Sequence, residues 1–396
     1  MAGASLVGIS FGGPRVFARG AFLIEADCPA DTIFLLRRGQ ARIFRLDEDG
    51  REAVTAIVGP GHIVGLAPLL GNSRHEQFAQ ATTRIEAWAL PAGRVLERLP
   101  SDRALLGLVA GALAQRFALA AGLFRDVNLL PVLERLADVE RRLATCLRGE
   151  PPALTQAGLA QLIRARPETL ARSHGRTPLT GHRPCEPAWP VRPGVQPFRS
   201  GELVLSGDLP SSQVGRVVSG QLEVSLVTDG GRTVQFDVLG PADLLGVSAL
   251  VGMPYLGMRA VALSDGSLRV IDAASFLAEV ADQPDQLRAL ALRLAARLQR
   301  LERRLGCCRG ALDERLLLLI ESLATEGEAQ PGRAASHAVP GRWSHARLGQ
   351  QIGVSRETVT RALAQLEARG AIHREGRRIV LHARPAQLAH RGLPSP

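Results

Sequence analysis

Residues 345–370 read HARLGQQIGVSRETVTRALAQLEARG, and this stretch decides the fold of the C-terminal part of the chain. The apolar spacing over 345–352 predicts a short helix with a tight turn after it. Ser355 is a typical N-cap residue, so a second helix is predicted from 356 to about 368, and Gly370 ends it. The stretch therefore predicts a helix-turn-helix.

The second predicted helix has one apolar and one polar face. The apolar positions are Val359, Ala362, Leu363 and Leu366. The polar positions are Arg356, Glu357, Thr360, Arg361 and Gln365. After the helix, 372–374 and 377–381 predict two strands joined by a turn, which form a wing. This order of elements is typical of winged helix-turn-helix domains, whose second helix enters the major groove of DNA.

The polar face carries side chains that suit base edges. Arginine can donate two parallel hydrogen bonds to guanine, and glutamate can accept one from cytosine, so Arg356, Glu357 and Arg361 are the candidate base-reading residues. The candidate phosphate contacts are Ser355, Thr358, Thr360, Arg377 and Arg378. The alternative is a sensory or adaptor protein whose helix-turn-helix contacts another protein.

Composition supports a globular protein with a polyanionic partner. The chain has 396 residues, 46% of them hydrophobic and 22% charged, which excludes collagen, coiled-coil rods and wholesale disorder. The net charge is +10, and all 48 basic residues are arginine. Codon bias in a GC-rich genome could produce this composition too, but nine arginines against three glutamates lie between 342 and 384, a net +6. That concentration favours DNA as the partner.

Other composition features bear on compartment and chemistry. Five cysteines without a C-x-x-C spacing argue against a disulfide framework and a thiolate metal site. No stretch has about 18 consecutive apolar residues, and the first 22 residues lack the features of a signal peptide. We therefore expect a cytoplasmic protein without a membrane partner. No G-x-S-x-G, H-E-x-x-H, P-loop or paired-carboxylate arrangement has supporting residues around it, so an enzyme is not expected.

The chain repeats itself at an offset of 181 residues. Matching glycines and prolines recur without a gap, among them Gly39/Gly220, Gly59/Gly240, Pro60/Pro241, Gly65/Gly246 and Gly71/Gly252. Short β-rich stretches lie between these turns, at 32–36, 41–46, 53–58 and 86–90, with copies at 222–227, 233–239 and 267–271. The predicted fold class is α+β, with two antiparallel β-rolls that are each followed by a long helix, and a winged helix-turn-helix domain.

Each roll is followed by a helix with an apolar stripe. In the first copy the stripe is Leu106, Val109, Leu113, Phe117, Ala120 and Phe124. In the second copy it is Leu287, Leu290, Leu294, Leu298, Leu301 and Leu305. Each stripe could pack on its own roll, but two matched stripes in one chain favour pairing as a coiled-coil-like seam. The chain is thus predicted to be an internal pseudo-dimer.

The repeat defines the predicted domains. They are 1–125 for the first roll and helix, 126–177 for a degenerate helix-turn-helix, 178–197 for a proline-rich linker, 198–306 for the second roll and helix, and 307–396 for the winged helix-turn-helix. The first helix-turn-helix has Pro167 where the second has Arg356, and prolines follow where the rest of its helix should be. Arg164 and nearby arginines could still contact phosphates.

The sequence resembles the Crp/Fnr superfamily of bacterial transcription regulators. The resemblance rests on residues 354–361, VSRETVTR, followed by Leu363, Leu366 and Gly370, and on the upstream roll, long helix and Gly59-Pro60-Gly61 turn. It implies base contacts by the two arginines and the glutamate named above. It also implies a regulator that homodimerises on palindromic double-stranded DNA and can contact RNA polymerase. Each chain has one intact helix-turn-helix that is predicted to contact bases, which we call the reader. Either two chains bind one palindrome, or a monomer binds one good and one poor half-site.

The resemblance also implies an effector pocket in each roll, at Gly65 and Leu66 in the first copy and Gly246 and Val247 in the second. Members that bind cyclic nucleotides carry a glutamate where this chain has Leu66 and Val247, and an Arg-Ser or Arg-Thr pair near Glu76-Gln77 and Leu256-Gly257. We therefore expect no cAMP binding, and no cofactor is identified. Cys28 alone does not make an N-terminal iron-sulfur cluster, and no spacing supports a haem on His62 or His75.

Overall fold

The structure is a computed structural model that describes residues 14–46, 50, 52–70, 74–147, 151–165, 168–170, 193–207, 212–227, 233–253, 257–307, 312–313, 315–317, 319–320, 343–352, 354–375 and 378–381. The chain divides into two compact units, Met1–Cys308 and Arg309–Pro396, which we call unit 1 and unit 2. Unit 1 contains both rolls, and unit 2 contains the predicted winged helix-turn-helix. The finer division into five segments stays a prediction.

Sixteen strands among the described residues of unit 1 form the two predicted rolls. Roll 1 consists of β1 Arg15–Phe17, β2 Phe22–Ile24, β3 Thr32–Arg38, β4 Ala41–Leu46, β5 Glu52–Val58, β6 Ile63–Val64, β7 Phe78–Ala81 and β8 Ile85–Pro91. Roll 2 consists of β9 Gly194–Phe198, β10 Leu203–Gly207, β11 Gln213–Ser219, β12 Leu222–Val227, β13 Thr233–Leu239, β14 Leu244–Leu245, β15 Met258–Ala262 and β16 Gly266–Asp272. The strands predicted from sequence are confirmed, within one or two residues at their ends.

The two rolls share one topology. Roll 1 has sheets in the order β1-β8-β3-β6 and β2-β7-β4-β5, and roll 2 has β9-β16-β11-β14 and β10-β15-β12-β13. Each strand of roll 1 thus occupies the place of its copy in roll 2, which confirms the repeat as a duplicated fold. The strands absent from the prediction for roll 1 have two to four residues, too few to show a period of two.

One glycine pair shows why the repeat keeps its register. Gly39 and Gly220 both have a positive φ, +82° and +80°. A Cβ on Gly39 would collide with the carbonyl of Arg84, and a Cβ on Gly220 with that of Asp265. Only glycine combines this backbone conformation with so close an approach, so the same turn is required in both rolls.

The helices of unit 1 follow the rolls. In the first copy they are α1 Leu66–Leu69, α2 Ala92–Arg98, α3 Arg103–Leu129, α4 Val132–Cys146 and α5 Gln156–Leu162. In the second copy a 3-10 helix, Val247–Val251, precedes α6 Ala273–Ala281 and α7 Pro284–Cys307. The N-cap of α3 is Asp102, whose carboxylate accepts a hydrogen bond of 3.0 Å from the backbone N–H of Leu105. The long helix α3 continues to Leu129.

The long helices α3 and α7 pack against each other, as the two stripes predict. All twelve stripe residues are at least nine-tenths buried. The helices also cross to the opposite copy, because α3 packs on the 3-10 helix of roll 2 and α7 packs on α1 of roll 1. The predicted seam is therefore confirmed, and one hydrophobic core continues from roll 1 through the seam to roll 2.

Helix α3 is long and apolar enough to cross a membrane when judged by length and composition alone. The prediction based on consecutive apolar residues missed this helix because Gln115 and Arg116 interrupt the run. In the structure 61% of its most apolar 18-residue window is buried. Packing against α7 and both rolls thus accounts for the hydropathy of α3.

The remnant of the first helix-turn-helix is docked within unit 1. Its helix α5 lies at the predicted position, and the Thr155 hydroxyl caps it by accepting a bond from the N–H of Gly158. The side chain of Gln40 in roll 1 binds the segment before α5, donating to the Pro151 carbonyl and accepting from the N–H of Ala153, at 2.9 and 2.7 Å. Residues 171–192, with most of the proline-rich linker, lie outside the described residues.

Unit 2 contains α8 His345–Ile352, α9 Arg356–Ala368, β17 Ile372–Glu375 and β18 Arg378–Leu381. Both helices have the bounds predicted from sequence. The described residues between 312 and 320 are also helical. They contribute Leu316, Leu319 and Ile320 to a small core with Leu348, Ile352, Val359, Ala362, Leu363, Leu366, Ile372 and Ile379.

Candidate DNA-binding site and effector cavity

Helices α8 and α9 approach each other closely around Gly349. A Cβ on Gly349 would collide with the carbonyl of Val354, and the N–H of Val354 donates to the carbonyl of Gly349 at 2.9 Å. Ser355 then caps α9, because its hydroxyl accepts a bond of 3.3 Å from the N–H of Thr358. These local contacts fix the direction in which α9 leaves the turn.

The candidate base-reading residues share the exposed face of α9. Arg356, Glu357 and Arg361 are all exposed, and the opposite face is buried in the core of unit 2. Hydrogen bonds from its own backbone N–H and from Ser355, together with the charges of Arg356 and Arg361, lower the pKa of Glu357. The Glu357 carboxylate is therefore ionised at neutral pH and is able to accept a hydrogen bond.

The candidate phosphate contacts are placed differently from one another. The hydroxyls of Ser355 and Thr358 lie 2.9 Å apart at the start of α9. The hydroxyl of Thr360 donates to the carbonyl of Arg356 and lies 2.7 Å from Nδ1 of His345. Arg378 lies in β18, where its backbone is opposite that of Glu375 in the strand register. Arg377 lies outside the described residues. The phosphate roles remain predictions.

The sequence did not indicate the ion pair that fastens the wing to α9. Arg374 in β17 donates two hydrogen bonds of 2.6 Å to the Glu367 carboxylate in α9. This pair raises the pKa of Arg374 and lowers that of Glu367. No motif predicts it, because the two residues meet only when the chain reverses at the end of α9.

The predicted effector residues of the first copy, Gly65 and Leu66, line a cavity. The cavity has an empty volume of about 660 Å³ including its open mouth, and lies between roll 1, α3 and α7. Arg116 of α3 forms an ion pair of 2.5 Å with Glu302 of α7, and both side chains line the cavity. The second copy thus supplies part of the wall, which sequence matching within one copy could not show.

In the second copy, Gly246 and Val247 lie at the equivalent place. Gly246 has a φ of +85° and caps the 3-10 helix that packs on α3. The side chain of Val247 is fully buried in the core. Within the part of the chain that the structure describes, no group of three or more histidine, cysteine, aspartate or glutamate side chains is arranged to hold a metal ion.

Known families match both parts of this architecture. The cyclic nucleotide-binding domain family matches residues 14–102 and 195–283, which are the two rolls. The Crp-like helix-turn-helix domain family matches residues 292–391. The chain belongs to the Crp/Fnr family.

Two relatives of this Crp/Fnr protein have names that describe them as transcription regulators. The CRP-like cAMP-activated global transcriptional regulator of Mycobacterium tuberculosis is 25% identical over 189 residues, which are 46% of this chain and 82% of the relative. The transcriptional activator protein anr of Pseudomonas aeruginosa is 27% identical over 186 residues, 46% of this chain and 75% of the relative. The FixK2 structure from Bradyrhizobium japonicum shares 24% identity, with 48% of this chain and 92% of FixK2 covered and a TM-score of 0.38.

Each alignment with a relative is about as long as one copy of the repeat, and the cyclic nucleotide-binding domain family matches this Crp/Fnr protein twice. It is a transcription regulator with a helix-turn-helix domain, and the matched families and relatives are regulators rather than enzymes.

Proposed function

We propose that this Crp/Fnr regulator reads a specific DNA half-site with α9. The observation that carries the proposal is the shared exposed face of Arg356, Glu357 and Arg361 on a helix whose other face is buried. An ionised carboxylate between two arginines would be repelled by phosphates. It gains a hydrogen bond only where it meets a base donor such as cytosine N4. The face is thus suited to base edges in the major groove.

Selection of bound sequences from a random duplex library tests this proposal. The full chain should enrich one motif, and its affinity for that motif should exceed its affinity for random duplex by about a thousandfold or more at fixed salt. Enrichment of no motif, with equal affinity for all duplexes, would contradict specific reading and would favour the adaptor role, in which the helix-turn-helix contacts a protein.

The stoichiometry on DNA follows from the seam. Because α3 and α7 pair within one chain, the stripes that would join two subunits are already buried. We propose that each chain brings one intact reader, so that full occupancy of a palindrome takes two chains held mainly by the DNA. Light scattering of the complex with a full palindrome tests this, and a complex that contains a single chain would contradict it.

The names of the relatives extend the proposal to regulation in the bacterial cytoplasm. The P. aeruginosa relative is a transcriptional activator by name. Activation through contact with RNA polymerase is the corresponding proposal for this chain. Transcription with purified polymerase from a promoter that carries the selected motif would measure it.

A further inference from the structure

The cavity between roll 1, α3 and α7 does not suit the ligand for which its family is named. A cyclic nucleotide carries a phosphate charge, which proteins hold with cationic side chains and charge-assisted hydrogen bonds. The arginines among the lining residues are Arg45 and Arg116. Arg45 forms an ion pair of 2.9 Å with Glu76, and Arg116 forms one of 2.5 Å with Glu302. Both arginines thus contact carboxyl groups that line the same cavity; burial raises the pKa of Glu302, and the ion pair with Arg116 opposes this shift.

The remaining titratable group of the lining adds no positive charge. His75 is 5% exposed, and its burial lowers its pKa more than nearby Asp31 raises it. An anion in this cavity would therefore approach Glu76 and Glu302, and each arginine among the described lining residues is already in an ion pair with one of these two side chains. Arg303, which is not part of the lining, lies 3.7 Å from Glu76 and is the second arginine beside that carboxylate after Arg45.

Two side chains of the lining, Arg116 and Gln299, each have a buried nitrogen without a hydrogen-bond partner among the described residues, Nη1 and Nε2 respectively. Gln299 of α7 is 8% exposed and lines the cavity. Its Nε2 has no hydrogen-bond partner among the described residues. A buried donor without an acceptor is costly, so a group that accepts from Gln299 would be favoured there. Apolar side chains, including Ile24, Ile43 and Phe78, make up much of the remaining wall.

The repeat shows that this chemistry is not shared by the two long helices. At the offset of 181, Gln299 corresponds to Ala118 and Glu302 corresponds to Ala121. Helix α7 thus brings a hydrogen-bond donor and a carboxylate to roll 1, and α3 has two alanines at the same positions. Two identical subunits could not make this difference.

We propose that this cavity binds an uncharged, mainly apolar small molecule that offers a hydrogen-bond acceptor to Gln299, and that it excludes cyclic nucleotides. The ligand contacts roll 1 and the helix of the second copy together. Occupancy therefore acts directly on the seam between α3 and α7.

Fluorescence titration of the full chain with Nile red, an uncharged apolar dye with a carbonyl acceptor, tests the proposal without DNA. The dye should bind saturably at one site, and Ala112→Phe, which fills the cavity from α3, should abolish that site. Gln299→Leu should weaken binding about five- to tenfold by removing one hydrogen bond. Gln286→Leu, on the same helix but outside the lining, is the matched control and should bind as the unaltered chain does.

Equilibrium dialysis with labelled cAMP is the second arm, and no saturable binding is expected. Saturable cAMP binding that Ala112→Phe removes would overturn the proposal. Failure of Nile red to saturate, or equal dye affinity in the Gln299→Leu variant and the unaltered chain, would also overturn it. Circular dichroism confirms that the variants fold. Because neither arm contains DNA, failure here leaves the proposed reading of DNA unaffected.

Discussion

Arg164, in the remnant of the first helix-turn-helix, donates a hydrogen bond of 2.8 Å from Nη2 to the carbonyl of Leu305, in the last turn of α7. Arg164, a candidate phosphate contact from the sequence, thus makes a contact within unit 1, and its phosphate role stays a prediction. The last carbonyl groups of a helix have no N–H donor within the helix. Basic side chains commonly donate to them and also interact favourably with the helix dipole. The remnant holds the end of the helix that precedes unit 2 in the chain.

Replacing Arg164 should loosen this end of the seam. Arg164→Ala leaves the Leu305 carbonyl without this donor, and we expect the free energy of unfolding to fall by about 1 to 3 kcal/mol. Urea denaturation of the full chain measures the change. Arg288→Ala, which removes the same charge from an exposed position on α7, is the control and should have little effect. Equal stability of the two variants would refute the structural role of Arg164.

The buried pair of Arg116 and Glu302 should behave as a unit. Either Arg116→Met or Glu302→Leu leaves one charged partner buried alone, and each should cost about 3 to 5 kcal/mol. The double variant replaces both charges by apolar groups and should be nearly as stable as the unaltered chain. A double-mutant cycle from denaturation curves measures the coupling, and additive single effects would show that the pair contributes nothing.

The base-reading assignment predicts a loss of specificity. Arg356→Ala and Arg361→Ala should each cost about 1 to 3 kcal/mol of binding to the selected motif and relax the preference at one base pair. Anisotropy titrations at fixed salt, against the motif and single-base variants of it, measure both effects. Arg288→Ala again matches the charge change outside unit 2. An unchanged preference in either variant of α9 would show that its arginine does not read a base.

The two arginines of the wing should contribute equally to the binding of every DNA sequence. Arg377→Ala and Arg378→Ala each remove one predicted phosphate contact, so the slope of log affinity against log salt should decrease by about one for each. The ratio of specific to random-duplex affinity should stay constant. A loss confined to the selected motif would instead assign the altered arginine to base reading.

His345 predicts that unit 2 is less stable in acid. Burial of the ring lowers the pKa of His345 below 6.5, with further lowering by Arg374 and Arg356 and a smaller opposite effect of Glu367. The unfolded state therefore takes up the proton first as the pH falls, so this contribution to stability is complete above pH 6.5 and is lost below it. Thermal unfolding should show the decline, and His345→Gln should reduce it. Identical pH profiles of the two proteins would contradict the prediction.

The sequence predicts the structure best where the information is local. The bounds of α8 and α9 follow from a cap residue, a terminating glycine and apolar spacing, all within a few residues of one another. Strands β4, β12 and β13 agree with the prediction at both ends because turn residues flank each of them. The two-residue strand β6 contains too little pattern to be detected.

The candidate site was predictable only in part for the same reason. Arg356, Glu357 and Arg361 were found because helical periodicity alone assigns them to one exposed face. The pair of Arg374 and Glu367, and the wall that α7 adds to the cavity, depend on how the chain returns on itself, for which the sequence has no local signal.

The sequence by itself determined that the chain has a duplicated roll and long helix and an intact C-terminal helix-turn-helix, because glycines at matched turns and the periodicity of α9 are properties of short segments. Only the tertiary structure decided that each long helix crosses to the other roll, that Glu302 and Gln299 face the cavity of the first copy, and that Arg164 holds Leu305 across 141 residues. Such contacts depend on the packing of surfaces from distant segments, and packing selects among partners that the sequence pattern leaves equivalent.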